Sequence, residues 1–292
     1  MIHLLALAGV LSISFSAVFV RLASVSPDTT TLFRALYALP LLGGLWLLRR
    51  RDDRRTASAR WLALASGLVL TLDLNFWHES IALIGAGLGT VIANVQVVFV
   101  ALASWVLYRE RPHTRTTLMI AVILVGVALT SGLARHDAYG SAPVAGAALG
   151  VLAGACYAVF LLMFRAASLG ESSPVGVQLD STIGMAAGAL ACAPLDPHFA
   201  FTPVWPAHGW LLLLAVVSQV VGWLLIATAM PRLRPIETSI FLLGQPVVTI
   251  FWGVLFFGER LSALQWIGTA VVLLGVGVEA VASASAASLR AE

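Results

Sequence analysis

The chain has 292 residues, of which 60% are hydrophobic and only 11% charged, with a mean hydropathy of +0.95. A water-soluble domain of this size needs far more polar surface, so a soluble enzyme or binding module is excluded. The formal charge of +3 comes from arginine without any lysine, and the arginines lie beside apolar runs, where they read as topology signals and not as a nucleic-acid surface.

Apolar stretches of roughly 20 residues cross a ~30 Å hydrocarbon core as helices. Such stretches occupy residues 2–22, 29–48, 61–83, 87–108, 116–134, 142–164, 174–194, 209–230, 236–257 and 262–282. The first lacks a basic n-region and reads as a span, not as a cleaved signal peptide. The second carries Arg34 and Pro40, and the third Asp73, Asn75, Phe76, Trp77, His78 and Glu79. Gly85 and Gly89 bracket a short turn into the fourth, which holds Asn94, Gln96 and Phe99. Gly146, Gly150 and Gly154 in the sixth, and Gly184 and Gly188 in the seventh, form small-residue ladders that let helix backbones approach closely. Pro174 fits a helix start, while Pro40 and Pro246 predict kinks. Cys156 and Cys192 sit inside spans and read as reduced packing residues.

Sliding the chain by 149 residues lays Glu110-Arg111 on Glu259-Arg260, Gln96 on Gln245, and Gly126-Val127 on Gly275-Val276. The chain is therefore a tandem repeat: residues 1–135 and 142–282 are two five-span units, 136–141 a linker and 283–292 a short tail. Arg49, Arg50, Arg51, Arg54, Arg55 and Arg60 crowd the second connection, and the odd-numbered connections carry only Arg21, Arg135 and Arg260. The positive-inside rule then puts both termini and the even connections in the cytoplasm. Five spans per unit is an odd number, so the second unit enters the membrane from the opposite side. Inverted units of this kind enclose a central cavity and open it to either side by rocking.

The repeat, the ten spans and the segment GERLSALQWIGTAVVLLGVGV resemble the drug/metabolite transporter superfamily, in particular its EamA-type ten-helix members. YRERPHTRTTLMIAVILVGVAL is a more diverged copy of the same motif, and LFRALYALPLL, with Arg34, is similar to the arginine-bearing second helix of that family. Within the family the chain looks most like the YddG-type aromatic amino acid exporters. The resemblance covers nearly the whole chain. It implies a bacterial inner-membrane carrier of small metabolites with its site between the halves.

An ionisable group at a helix centre costs about 2.5–3.5 kcal/mol on insertion scales, so each one inside a span needs a reason. Arg34 lies at a depth close to Glu79, which predicts a structural ion pair with Glu79 or a contact with His78; the alternative is an arginine that snorkels to the outer interface. Asp180 falls toward the cytoplasmic side, out of reach of Arg34. His78-Glu79 is not followed by a second histidine one turn on, so no metal site is expected. A cargo cavity needs scattered polar groups between aromatic surfaces. The candidates are Asn94, Gln96, Gln219, Gln245, Thr249, Asp73, His78, Ser12, Ser14 and Ser16 with Phe76, Trp77, Phe99, Tyr157, Trp223 and Trp252. Gln96 and Gln245 stand out as repeat mates whose amides can meet a carboxylate and an ammonium; the alternative is an interhelical hydrogen bond. Each aromatic residue is open to a second reading as part of an interfacial belt.

Without lysine no phosphate-binding Walker motif exists, so transport is secondary, either facilitated or weakly proton-coupled through Asp73, His78 and Glu79. No cofactor is implied, and the expected partners are a small-molecule cargo and the bilayer. Glycine ladders leave the oligomeric state open. The leading function is export of amino acids, aromatic ones such as Trp or Phe foremost; the alternative is a carrier of a nucleoside or a cationic drug such as a viologen. An intramembrane enzyme needs a nucleophile with its base, paired aspartates or a metal set, and none is present.

Overall fold

The computed structural model describes residues 2–96, 98–100, 102–103, 114–130, 139–168, 173–229 and 235–289. The Glu110-Arg111 junction, Arg135, Arg232, Arg234 and part of the 136–141 linker lie outside them. The described residues form helices and no strands: α1 (Ile2–Ser14), α2 (Ser16–Ala23), α3 (Pro27–Arg49), α4 (Ala57–Ala93), α5 (Thr114–Thr130), α6 (Pro143–Ala167), α7 (Pro174–Cys192), α8 (Ala207–Leu213), α9 (Trp223–Ala229), α10 (Pro235–Phe257) and α11 (Ala263–Leu289). Five described segments are long and apolar enough to cross a membrane, namely Pro27–Arg49, Ala57–Val100, Pro143–Phe164, Pro174–Leu195 and Ala207–Ile226. Shorter apolar helices cover Leu7–Ala23, Gly244–Phe257 and Ala263–Gly275. α11 runs on to Leu289, past the 282 expected as the end of the last span.

Local chemistry sets the helix starts. Ser26, Thr56 and Ser173 cap α3, α4 and α7 by accepting from the backbone N–H three residues on, and Pro27 and Pro174 follow at the first helical turn. α4 contains two expected spans, separated by Gly85 at φ +86°, where an L side chain is strained. The chain reverses there. A Cβ on Gly89 would lie 3.2 Å from Ser80 Oγ and 3.3 Å from Ile81 N, which a continuous helix would hold far apart.

The reversal exposes N–H groups at the start of the second arm, and Glu259 supplies their acceptor. Its carboxylate accepts from Ala86 N (2.7 Å) and Gly87 N (3.2 Å) and pairs with Arg21 at the end of α2. Burial pushes this carboxyl up, against the two backbone donors and Arg21. Arg21 also reaches Tyr139 Oη (3.2 Å) and lies over the Phe257 ring. Gln265 accepts from Tyr139 N, Ser141 N donates to Leu83 O, and Ala200 N donates to Thr29 Oγ1. The connections near residues 24, 85, 140, 200 and 259 therefore gather at one end of the bundle. The arginine-rich segment 49–60 meets the start of α7 at another place, where Arg55 and Arg60 contact Asp180.

Helix contacts depend on missing side chains. A Cβ on Gly67 of α4 would fall 1.9 Å from Ser181 O of α7, and one on Gly184 1.9 Å from Leu64 O. In the α4–α6 contact, a Cβ on Gly154 would come within 2.7 Å of Ala93 O. Backbone cannot yield as a flexible side chain does, so Gly67→Ala or Gly184→Ala should lower the apparent melting point in detergent by roughly 3–10 °C. Gly43, with nothing within 4 Å of its would-be Cβ, should accept alanine within about 1 °C. Equal effects at all three positions would contradict this packing.

Candidate functional site

A cavity inside the bundle is lined by Ile13, Ser16, Arg34, Leu70, Asp73, Leu74, Trp77, Thr90, Ala93, Asn94, Gln96, Tyr157, Trp223 and Gln245. Residues from both halves meet there, brought in by α1, α2, α3, both arms of α4, α6, α9 and α10. Of the residues expected from sequence, Ser16, Asp73, Trp77, Asn94, Gln96, Tyr157, Trp223 and Gln245 all line it. His78 and Phe99 do not, nor do Ser12, Ser14, Phe76, Gln219, Thr249 and Trp252. Phe99 packs on the cluster of Ile84, Leu88 and Ile92, and His78 is buried beside Trp77.

The expected Arg34–Glu79 pair is not formed. Glu79 is exposed, because it stands six residues past Asp73 and so about 120° away around α4. Arg34 is 4% exposed and points into the cavity. Its Nε donates to Gln219 Oε1 (2.7 Å) and its Nη1 to Ser16 Oγ (3.2 Å). Gln219 belongs to a π-helical segment, Leu214–Gly222, between α8 and α9. The wider turn adds a residue locally and re-aims side chains, a feature frequent at functional sites. Gln219 Nε2 donates to Thr182 Oγ1 (3.4 Å), and Gln178 Nε2 donates to the Gln219 carbonyl (3.3 Å). Arg34 is thus held from two sides by neutral acceptors.

Asp73 faces the same cavity and is 6% exposed. Among the described residues nothing hydrogen-bonds or ion-pairs to its carboxylate. Gln96 Oε1 is likewise buried without a partner. Asn94 is held by the Thr90 carbonyl (2.8 Å). The aromatic wall is braced from behind: Phe160 packs on Tyr157 with centroids 5.6 Å apart and meets Trp223 edge-on at 5.9 Å. The described residues contain no cluster of His, Cys, Asp or Glu able to hold a metal.

The duplicated glutamate, legible as a repeat mark, turns out to cap a broken helix. The sequence marks Gln219 as a polar residue of the eighth span, but its hold on Arg34 was harder to read, since a π turn leaves no clear periodic signal.

Residues 1–132 and 144–278 each match the EamA-like transporter family. The chain belongs to that family, within the drug/metabolite transporter superfamily. It is a multi-pass helical membrane transporter. It is 26% identical over 288 residues to the uncharacterized transporter YcbK of Bacillus subtilis, covering 90% of this chain and 87% of the relative. A shorter segment of 106 residues is 30% identical to solute carrier family 35 member B1 of Gallus gallus, covering 36% of this chain and 33% of that protein. A protein of known crystal structure superposes with a TM-score of 0.63 at 18% identity, covering 95% of each chain, which shows a shared fold.

At the arginine-rich end, Arg55 grips Asp53 through two hydrogen bonds (2.7 and 2.9 Å) and contacts Asp180 at 2.9 Å, while Trp46 Nε1 donates to Asp53 (2.8 Å). The hydrogen bond from Arg55 leads in holding the Asp53 carboxyl at about 2, below its ordinary 3.8. A depressed carboxylate stabilises the fold above its unfolded value, and that contribution is lost as pH falls through the folded value. Asp53→Asn should therefore lower the apparent melting point at about pH 7, and the gap to wild type should close between about pH 4 and pH 2. A gap that persists unchanged across that window would contradict the ion-pair account.

Proposed function

We propose that this chain is a secondary exporter of amino acids, aromatic ones such as Phe and Trp foremost, working by alternating access in a bacterial inner membrane. The supporting observation is the convergence of Arg34, Asp73, Asn94, Gln96 and Gln245 with Trp77, Tyr157 and Trp223 on one cavity. Flat rings suit a planar apolar side chain, and the polar groups suit the backbone of an amino acid. In this reading residues 1–135 and 142–282 are the two oppositely threaded units that rock about the cavity, with both termini and the 49–60 connection cytoplasmic.

A carrier of a cationic drug is the second reading, and Asp73, which has no ion-pair partner among the described residues, favours it. Arg34 opposes it, because a fixed guanidinium facing the same space repels a permanent cation.

Counterflow distinguishes the two. Proteoliposomes preloaded with unlabelled Phe should take up labelled Phe or Trp saturably, well above protein-free vesicles. Uptake of methyl viologen with no uptake of either amino acid would overturn the proposal.

A further inference from the structure

We propose that Arg34 and Asp73 are the two jaws of a head-group clamp, Arg34 taking the cargo carboxylate and Asp73 its ammonium. The inference rests on the reading of the cavity as the cargo site and adds which atoms it recognises. Cargo must then be zwitterionic at one end, and molecules with only one of the two charges are poor substrates.

The geometry carries this. Both side chains are more than nine-tenths buried and both line one cavity, yet no ion pair joins them. Arg34 is fixed at Nε and Nη1 by Gln219 and Ser16, and no hydrogen bond reaches Nη2 among the described residues. A guanidinium cannot shed its proton, so its remaining donor edge needs an anion or another acceptor. Asp73 is the converse: an acceptor set without a donor. A carboxylate left this way inside a membrane bundle is costly, and a bound ammonium removes that cost.

An ammonium carries three N–H donors, and the unpartnered Gln96 Oε1 in the same cavity gives it a second acceptor. Gln96 thereby sits at the ammonium end of the clamp, which narrows the role expected for it from the repeat. Because the two jaws carry opposite charges, a zwitterion enters without changing the net charge of the cavity.

Asp73→Asn gives the cleanest test. Since nothing in the described structure bonds to that carboxylate, the variant removes no contact from the empty protein. Three probes are followed in proteoliposomes: Phe, phenethylamine (ammonium only) and 3-phenylpropionate (carboxylate only). Wild type should transport Phe and discriminate against the other two by about ten-fold or more. Asp73→Asn should keep or raise the melting point, lose Phe transport by about ten-fold or more, and shift preference toward 3-phenylpropionate. Arg34→Gln should shift preference toward phenethylamine, and Arg34→Lys should restore part of the Phe flux.

Phe transport unchanged in Asp73→Asn, or wild type carrying phenethylamine as well as Phe, would overturn the clamp. If in that case Asn94→Trp, which fills the cavity, still abolishes Phe transport, the cavity reading stands and only the clamp falls. If wild type transports none of the three probes, the amino acid reading falls and takes the clamp with it. A melting point that drops in Asp73→Asn while probe preference stays fixed would mean a structural carboxylate and would also overturn the clamp.

Discussion

A guanidinium buried in a lipid-embedded helical bundle stays charged, and this constraint at Arg34 organises the centre of the protein. Its charge has to be met by dipoles or by an anion. Two of its donor positions are met by neutral oxygens, from Ser16 and from Gln219, which distribute the load without neutralising it. Gln219 is in turn held through Thr182 and Gln178 of α7. The π-helical segment 214–222 is the backbone adjustment that sets Gln219 at this position. A residual positive charge is thus presented to the cavity from a rigid mount.

The cavity combines these polar groups with aromatic surfaces. Trp77, Tyr157 and Trp223 provide broad surfaces whose positions are fixed by Phe160 and the packing behind it. α4 packs on α7 and on α6 through glycine, at Gly67 with Ser181 and at Gly154 with Ala93. At one end, Glu259 ties the break in α4 to Arg21 and Tyr139 and links four separated chain segments. At the arginine-rich end, Arg55 and Arg60 share Asp180.

Much of this was legible in the sequence, for identifiable reasons. The membrane-spanning helical character follows from hydropathy, because lipid tolerates few other solutions. The cavity amides Gln96 and Gln245 stand out in the sequence as repeat mates and Asp73 as an ionisable group inside a span, whereas Tyr157 and Trp223 are open there to an interfacial reading. The pairing of Arg34 was not. Sequence position gives the depth of a side chain in the membrane, but its direction around the helix depends on which face packs, and Glu79 turns outward. The reversal at Gly85 was visible as a glycine-bracketed turn, whereas its carboxylate cap comes from a residue 174 positions further on, Glu259. The duplication marked Glu259 without disclosing its task.

The central claim is that one cavity, walled by both halves, is reached from either side of the membrane in turn. A single cysteine at Asn94, with Cys156 and Cys192 replaced by serine, tests it most directly. The account predicts modification by a charged, impermeant thiol reagent added to right-side-out or to inside-out vesicles, slowed in both by Phe. Reaction from one side only, or from either side with no protection by any amino acid, would contradict it.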